Sequence, residues 1–237
     1  MSLGAYLTDL AELPLDPRTT ALLAVDLQND FCKPGGFFDA AGHDVSTCEA
    51  GIEPTARVVE AARSLGLPVV WTKSVNPSPP PYRLPPLRFR APRESDGFRD
   101  GVGGSDCFVP GTWGNAIVDE LVPEPDELVI EKPRYDGFYA TGLEDELRCR
   151  GVDTVAIGGV TTNCCVDTTA RSAFIRGFEV IVLADCVAAF GNEWDLHEAA
   201  LKNLALLFAV VASAEDVLAA LSAAERPSGG RVSARRS

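Results

Sequence analysis

Gly159-Val-Thr-Thr-Asn-Cys-Cys-Val166 sits where an apolar run, Asp153-Thr-Val-Ala-Ile-Gly158, gives way to a segment of helical character, Asp167 to Gly177. A strand feeding directly into a helix is the repeating unit of an α/β protein. A cysteine at such a turn lies near free backbone N–H groups and the positive end of a helix dipole. That placement favours thiolate over thiol, and the thiolate is the nucleophile. The turn therefore predicts an enzyme with covalent chemistry.

Outward from the turn, apolar runs and helical stretches alternate. Strands are expected at Thr20 to Val25, Leu67 to Thr72, Glu127 to Ile130, Thr154 to Ile157, Phe178 to Ala184 and Leu207 to Val211. Helices are expected at Ile52 to Leu65, Asn115 to Leu121, Leu143 to Arg150, Cys165 to Arg176, Trp194 to Leu206 and Glu215 to Leu221. Gly66, Gly151 and Gly177 stand where three of these helices stop. The strands are continuous runs of Val, Ile, Leu and Ala, the pattern of strands covered on both faces. The fold expected is α/β: a single-domain, doubly wound parallel sheet with helices on both faces.

One domain over 1–225 is the simplest division. The proline-rich stretch from Val75 to Thr112 interrupts it and reads as a lid or subunit-contact insertion. Residues 226–237 hold four arginines and no acid and read as a disordered basic tail. Net charge is −13, which leaves −17 on residues 1–225. Such a body repels nucleic acid and anionic membrane. No apolar run has membrane length and no signal-peptide pattern opens the chain, so a cytoplasmic protein is expected. The seven cysteines show no zinc-finger or CxxC spacing, and two histidines are a thin supply for a metal site.

Ligands of open parallel sheets bind beyond the carboxyl ends of the strands. Asp26, Lys132 and Cys165 all fall at such ends. Singly, each has a plainer reading: a turn cap, a solvated lysine, a core thiol. Together they make a coherent set. Asp26 takes the thiol proton, Lys132 stabilises carboxylate and thiolate, and Cys165 attacks a carbonyl carbon. Backbone N–H groups of Thr161 and Cys165 would hold the oxyanion.

Three stretches, Leu22-Leu-Ala-Val-Asp-Leu-Gln-Asn-Asp-Phe31, Glu131-Lys-Pro-Arg-Tyr135 and Gly159 to Arg171, resemble the isochorismatase-like cysteine hydrolases, and the likeness runs from about Thr20 to Leu221. The resemblance implies a triad of Asp26, Lys132 and Cys165. Of the two adjacent cysteines, Cys165 precedes Val166 as the family nucleophile does, and Cys164 takes the variable position. It also implies a cis peptide between Val160 and Thr161 that aims N–H groups at the oxyanion.

Within the family the chain is most similar to ureidoacrylate amidohydrolases and N-carbamoyl and biuret hydrolases, through Pro34-Gly-Gly-Phe-Phe-Asp39, Gly42-His-Asp-Val-Ser-Thr47, Gly111 to Pro123, Lys132 to Tyr139 and Leu147-Arg-Cys-Arg-Gly-Val152. The likeness implies attack on a urea-like –CO–NH2 group, release of ammonia and a thioester intermediate. Nicotinamidases of this fold hold a metal through histidines after the second strand. Here that region reads Thr72-Lys-Ser-Val-Asn-Pro77, so neither a catalytic metal nor a cofactor is expected. A homo-oligomer, dimer or tetramer, is implied as well.

Trp71, Trp113, Tyr135, Tyr139 and Asn163 flank the triad in sequence and are candidates to line the substrate pocket; Asn163 has helix capping as its alternative. Arg134, Lys73, Arg88 or Arg90 could receive a substrate carboxylate. His197 is assigned a structural place outside the site. The rival readings are a plain-carboxamide hydrolase on the same fold, a non-catalytic relic that binds a small molecule, and a redox protein using Cys164 and Cys165.

Overall fold

The computed structural model describes residues 15–76 and 107–225. Most of the expected insertion at 75–112 and all of the basic tail lie outside them. Six strands are present: β1 (Thr20–Val25), β2 (Val69–Ser74), β3 (Leu128–Lys132), β4 (Thr154–Val160), β5 (Glu179–Ala188) and β6 (Val210–Ala212). They form one sheet in the order β3-β2-β1-β4-β5-β6, with every neighbouring pair parallel. The chain winds outward in both directions from the β1–β4 pair. The crevice at the carboxyl ends of those two strands is the switch point where such sheets bind ligands.

Three short helices, α1 (Asn29–Cys32), α2 (Phe37–Ala40) and α3 (Ser46–Ala50), precede α4 (Ile52–Ser64). Then come α5 (Leu143–Cys149), α6 (Asp167–Ile175), α7 (Trp194–Leu207) and α8 (Ala214–Glu225). Alternation along β1 divides the core in two. Leu22 and Ala24 face Val58, Val59 and Ala62 of α4 and Val217 and Leu221 of α8. Ala21, Leu23 and Val25 face Leu143 and Leu147 of α5, Ala170 and Ala173 of α6, and Leu201 and Leu204 of α7. Burying each leucine contributes about 1.5–3 kcal/mol, and truncating Leu23 or Ile157 to alanine costs about 2–5 kcal/mol. The helices therefore cover both faces, as the unbroken apolar strands require. Edge strand β3 departs from that pattern: Leu128 and Ile130 turn inward while Val129 and Glu131 are exposed.

Four expectations need correction. Asn115 to Leu121 is not a helix. It is a turn, an antiparallel bridge between Ile117 and Gln28, and a short 3-10 turn at Asp119–Leu121. Val118 N–H donates to the Leu27 carbonyl, so apolar residues at near-helical spacing serve a loop pinned to the core. The helix expected from Cys165 begins at Asp167, and Thr162–Val166 is a π turn. Strand β5 continues to Ala188, beyond a register irregularity against β4. The last strand is only Val210–Ala212.

At the carboxyl end of β4, Gly159 has φ +122 and a Cβ there would collide with the Val25 carbonyl. Glycine is what lets the ends of β1 and β4 approach. The next peptide, Val160–Thr161, is cis.

Candidate active site

β1 ends at Val25, and Asp26 follows with φ +53. Strand alternation would send Asp26 to the face of Leu22 and Ala24. The left-handed backbone, which Asp tolerates better than most residues, turns it to the other face instead. There Thr72 Oγ1 donates to its Oδ1 at 2.8 Å, and Ser74 Oγ donates to its Oδ2 at 2.8 Å. Lys132, the last residue of β3, places Nζ 2.6 Å from the same Oδ2. That ammonium also donates to Ser74 Oγ at 3.0 Å, the Arg134 carbonyl at 3.0 Å and Cys165 Sγ at 3.4 Å. Asp26, Lys132 and Cys165 are all essentially removed from solvent. The three sequence candidates thus converge, with Lys132 in contact with the other two.

Burial alone would strip the charge from Lys132. The Asp26 carboxylate beside it outweighs that penalty and holds its pKa above the ordinary ammonium value. The Cys165 thiol is pushed well above its usual range by a hydrogen bond with Cys164 and by burial, with Asp26 adding to the rise and Lys132 opposing it. Burial and Cys164 thus oppose the thiolate that the sequence reading favoured at this turn. Cys165 sits in a π turn ahead of α6 instead of at its first turn, beside an Asp26–Lys132 ion pair. Ionising it requires the proton to move to a base, and Asp26 is the carboxylate in place.

Around the triad lies a layer that the sequence reading did not single out. Gln28 Nε2 donates to the carbonyls of Ser74 and Asn115, while its Oε1 accepts from the Ser74 N–H. Asn115 Nδ2 donates to the carbonyls of Ser74 and Phe108. Asn29 Nδ2 donates to the Trp113 carbonyl. Asp30 accepts the N–H groups of Phe37 and Phe108. The stretch Gln28-Asn-Asp30 is thus a clamp that fastens residues 107–115 against the end of β2. Its signal was there: amides and a carboxylate directly after a buried strand need partners.

The pocket candidates divide. Trp71 is 1 % exposed, belongs to the core cluster under α4, and donates through Nε1 to Glu127, which precedes β3. It faces away from Thr72 and Ser74 by strand alternation, so the expectation that it binds substrate is corrected: it is a core residue. Lys73 fails in the same way, lying on Trp71's face with its Nζ 3.8 Å from Glu131. Trp113 and Tyr139 are about half exposed, at 53 % and 46 %. Tyr135 is partly buried against the core on the α5–α7 side. The Arg134 guanidinium lies 6.0 Å from the Tyr139 ring centre. Arg88 and Arg90 fall outside the described residues.

Asn163 sits in the π turn with its Oδ1 buried and lacking a hydrogen-bond partner, so that oxygen caps no helix. His197, set outside the site by sequence, touches the π turn that carries Cys165: its Nδ1 is 2.8 Å from Thr162 Oγ1, and its ring stacks on Trp194. Burial pushes its pKa down to about 4, so it is neutral near pH 7. Among the described residues, no group of three or more His, Cys, Asp or Glu is arranged to hold a metal ion, and no helix is long and apolar enough to cross a membrane.

The model of the isochorismatase domain matches residues 20–216. The chain belongs to the isochorismatase family. Isochorismatase-family relatives include a ureidoacrylate amidohydrolase of Methylobacterium radiotolerans, 40 % identical over 92 % of this chain and 85 % of its own length. A ureidoacrylate amidohydrolase of Methylorubrum extorquens is 38 % identical over 90 % of this chain and 87 % of its own. Among solved structures, a cysteine hydrolase from Pseudomonas syringae pv. phaseolicola shares the fold with TM-score 0.75 at 24 % identity, covering 92 % of this chain and 99 % of that one. An N-carbamoylsarcosine amidase from Thermoplasma acidophilum has TM-score 0.62 at 27 % identity, covering 83 % of this chain and 97 % of that one.

Proposed function

We propose that this isochorismatase-family protein is a cysteine-dependent amidohydrolase that cleaves the terminal C–N bond of a small ureido or N-carbamoyl compound, ureidoacrylate first among them. The observation that carries the reading is Lys132 Nζ, which contacts both the Asp26 carboxylate and the Cys165 sulfur. The relatives named for ureidoacrylate and N-carbamoylsarcosine support the substrate class.

In the first step the Cys165 proton moves to Asp26 and Sγ attacks the carbonyl carbon. Negative charge passes from Asp26 to sulfur while Lys132 stays in contact with both, so the shift occurs around a fixed cation. The tetrahedral oxyanion is held by the backbone N–H groups of Thr161 and Cys165. Asp26 returns its proton to the leaving nitrogen, the C–N bond breaks, and ammonia departs from a carbamoyl or acyl thioester. Asp26 then takes a proton from water, hydroxide attacks the thioester, and the sulfur leaves and is reprotonated. Tyr135, Tyr139 and Trp113 wall the substrate, and the unpartnered Oδ1 of Asn163 accepts one of its N–H groups. The reaction so written uses no metal or cofactor. The enzyme works in the cytoplasm as a homo-oligomer, which light scattering on the purified protein checks.

The test is ammonia release from ureidoacrylate, N-carbamoyl amino acids, biuret and nicotinamide, with chelator present, by wild type and Cys165→Ala. Release from a ureido compound that disappears in the variant is expected. Release only from nicotinamide would move the substrate to a plain carboxamide.

A further inference from the structure

Ser74 is a 5 % exposed residue at the carboxyl end of β2, and its hydroxyl joins two members of the triad. It donates to Asp26 Oδ2 at 2.8 Å and accepts from Lys132 Nζ at 3.0 Å. Its backbone is held from both sides. Gln28 Oε1 takes its N–H at 2.8 Å, and its carbonyl accepts from Gln28 Nε2 at 3.1 Å and Asn115 Nδ2 at 3.0 Å. Two buried amides thus hold the backbone from which this one hydroxyl projects.

We infer that Ser74 is a positioning residue that keeps the Asp26 carboxylate and the Lys132 ammonium in register while the proton of Cys165 passes to Asp26. This rests on the triad reading above. When Asp26 takes the proton, Lys132 loses its close anionic partner before the sulfur has settled as thiolate. The Ser74 oxygen goes on accepting from Lys132 Nζ through that moment, so the ammonium stays within reach of Cys165. Before the transfer, its O–H stabilises the Asp26 charge. A hydroxyl suits the place because it can donate to a carboxylate and accept from a carboxylic acid. Among the described residues, the groups facing Asp26 are Thr72 and Ser74 from β2, Lys132 from β3, Cys165 from the π turn and Cys32 from α1.

The experiment compares wild type, Ser74→Ala and Ser74→Thr, with thermal unfolding as the control for folding. For Ser74→Ala, kcat on the ureido substrate should fall about ten- to a hundredfold while KM changes less than about twofold. A second readout needs no substrate: alkylation of Cys165 by iodoacetamide as a function of pH, followed by peptide mass spectrometry. Its midpoint should move up by about one pH unit in Ser74→Ala, because Lys132, no longer held by the hydroxyl, stabilises the thiolate less. Ser74→Thr, which keeps the hydroxyl, should restore most of both. The inference is overturned if Ser74→Ala matches wild type in both readouts, or if a folded Ser74→Thr is as impaired as Ser74→Ala. If wild type turns over none of the panel, the substrate reading has failed and the alkylation comparison alone decides the role of Ser74.

Discussion

Asp26 and Asp30 lie four residues apart and are both buried, yet their surroundings differ in kind. Asp26 is met by two hydroxyls and an ammonium, those of Thr72, Ser74 and Lys132. Asp30 is met by fixed backbone amides, the Phe37 N–H at 3.0 Å and the Phe108 N–H at 2.7 Å. Gly114 leaves room for it, since a Cβ at that position would collide with Asp30 Oδ1. A hydroxyl can reverse its hydrogen bond when its partner gains a proton, whereas an amide N–H can only donate. In the proposed mechanism, the donors around a buried carboxylate thus separate a group that exchanges protons from one that holds a loop.

Exchanging these two residues is the sharpest way to break the comparison. Asp26→Asn removes the base and should lower kcat about ten-thousandfold or more, read as ammonia release under saturating substrate. Turnover near the wild-type rate in that variant would end the distinction. Lys132→Met should abolish turnover and also cost about 3–5 kcal/mol in denaturant unfolding, since it leaves Asp26 buried without its cation. Asp30→Asn should behave in the opposite sense. It should cost about 1–3 kcal/mol of stability, because an amide group then faces backbone N–H donors, while kcat stays within a few-fold of wild type.

The smallest effect concerns pH and the back of the catalytic turn. His197 has its pKa pushed down to about 4 in the folded protein, against 6.5 when unperturbed. The unfolded chain therefore binds the proton first. The stability contributed by neutral His197 is complete above about pH 6.5 and is lost as pH falls toward 4. Thermal unfolding followed across that window should fall more steeply for wild type than for His197→Gln. Equal slopes would remove His197 from the account of the turn.

The same contrast explains what the sequence disclosed. Strands announce themselves through unbroken apolar runs, and the glycines after helices through their stops, so the alternating order was legible and the doubly wound sheet followed from it. Asp26, Lys132 and Cys165 were legible because each reactive side chain ends a strand. Ser74 was not, because a serine carries no signal until β2 is known to lie against β1. Period-two alternation within Trp71-Thr-Lys-Ser74 already separates Thr72 and Ser74 from Trp71 and Lys73. Only the pairing of β2 with β1 shows which of those two faces meets Asp26. The segment from Asn115 to Leu121 misled for another reason: its apolar residues anchor a loop to Leu27 and Gln28 across a long sequence gap, which no local periodicity encodes. The upward push on the Cys165 thiol was out of reach as well, since it comes from Cys164 and burial, with Lys132 opposing it.

In the proposed reaction Cys165 carries the substrate's acyl or carbamoyl group between the departure of ammonia and the attack of water. Acid quenching during turnover of the preferred ureido compound, followed by peptide mass spectrometry, tests it most directly. An adduct of substrate minus ammonia is expected on the peptide containing Cys165, located on that residue and not on Cys164, and absent from Cys165→Ala. An adduct on Cys164, or undiminished ammonia release by Cys165→Ala with no adduct anywhere, would contradict it.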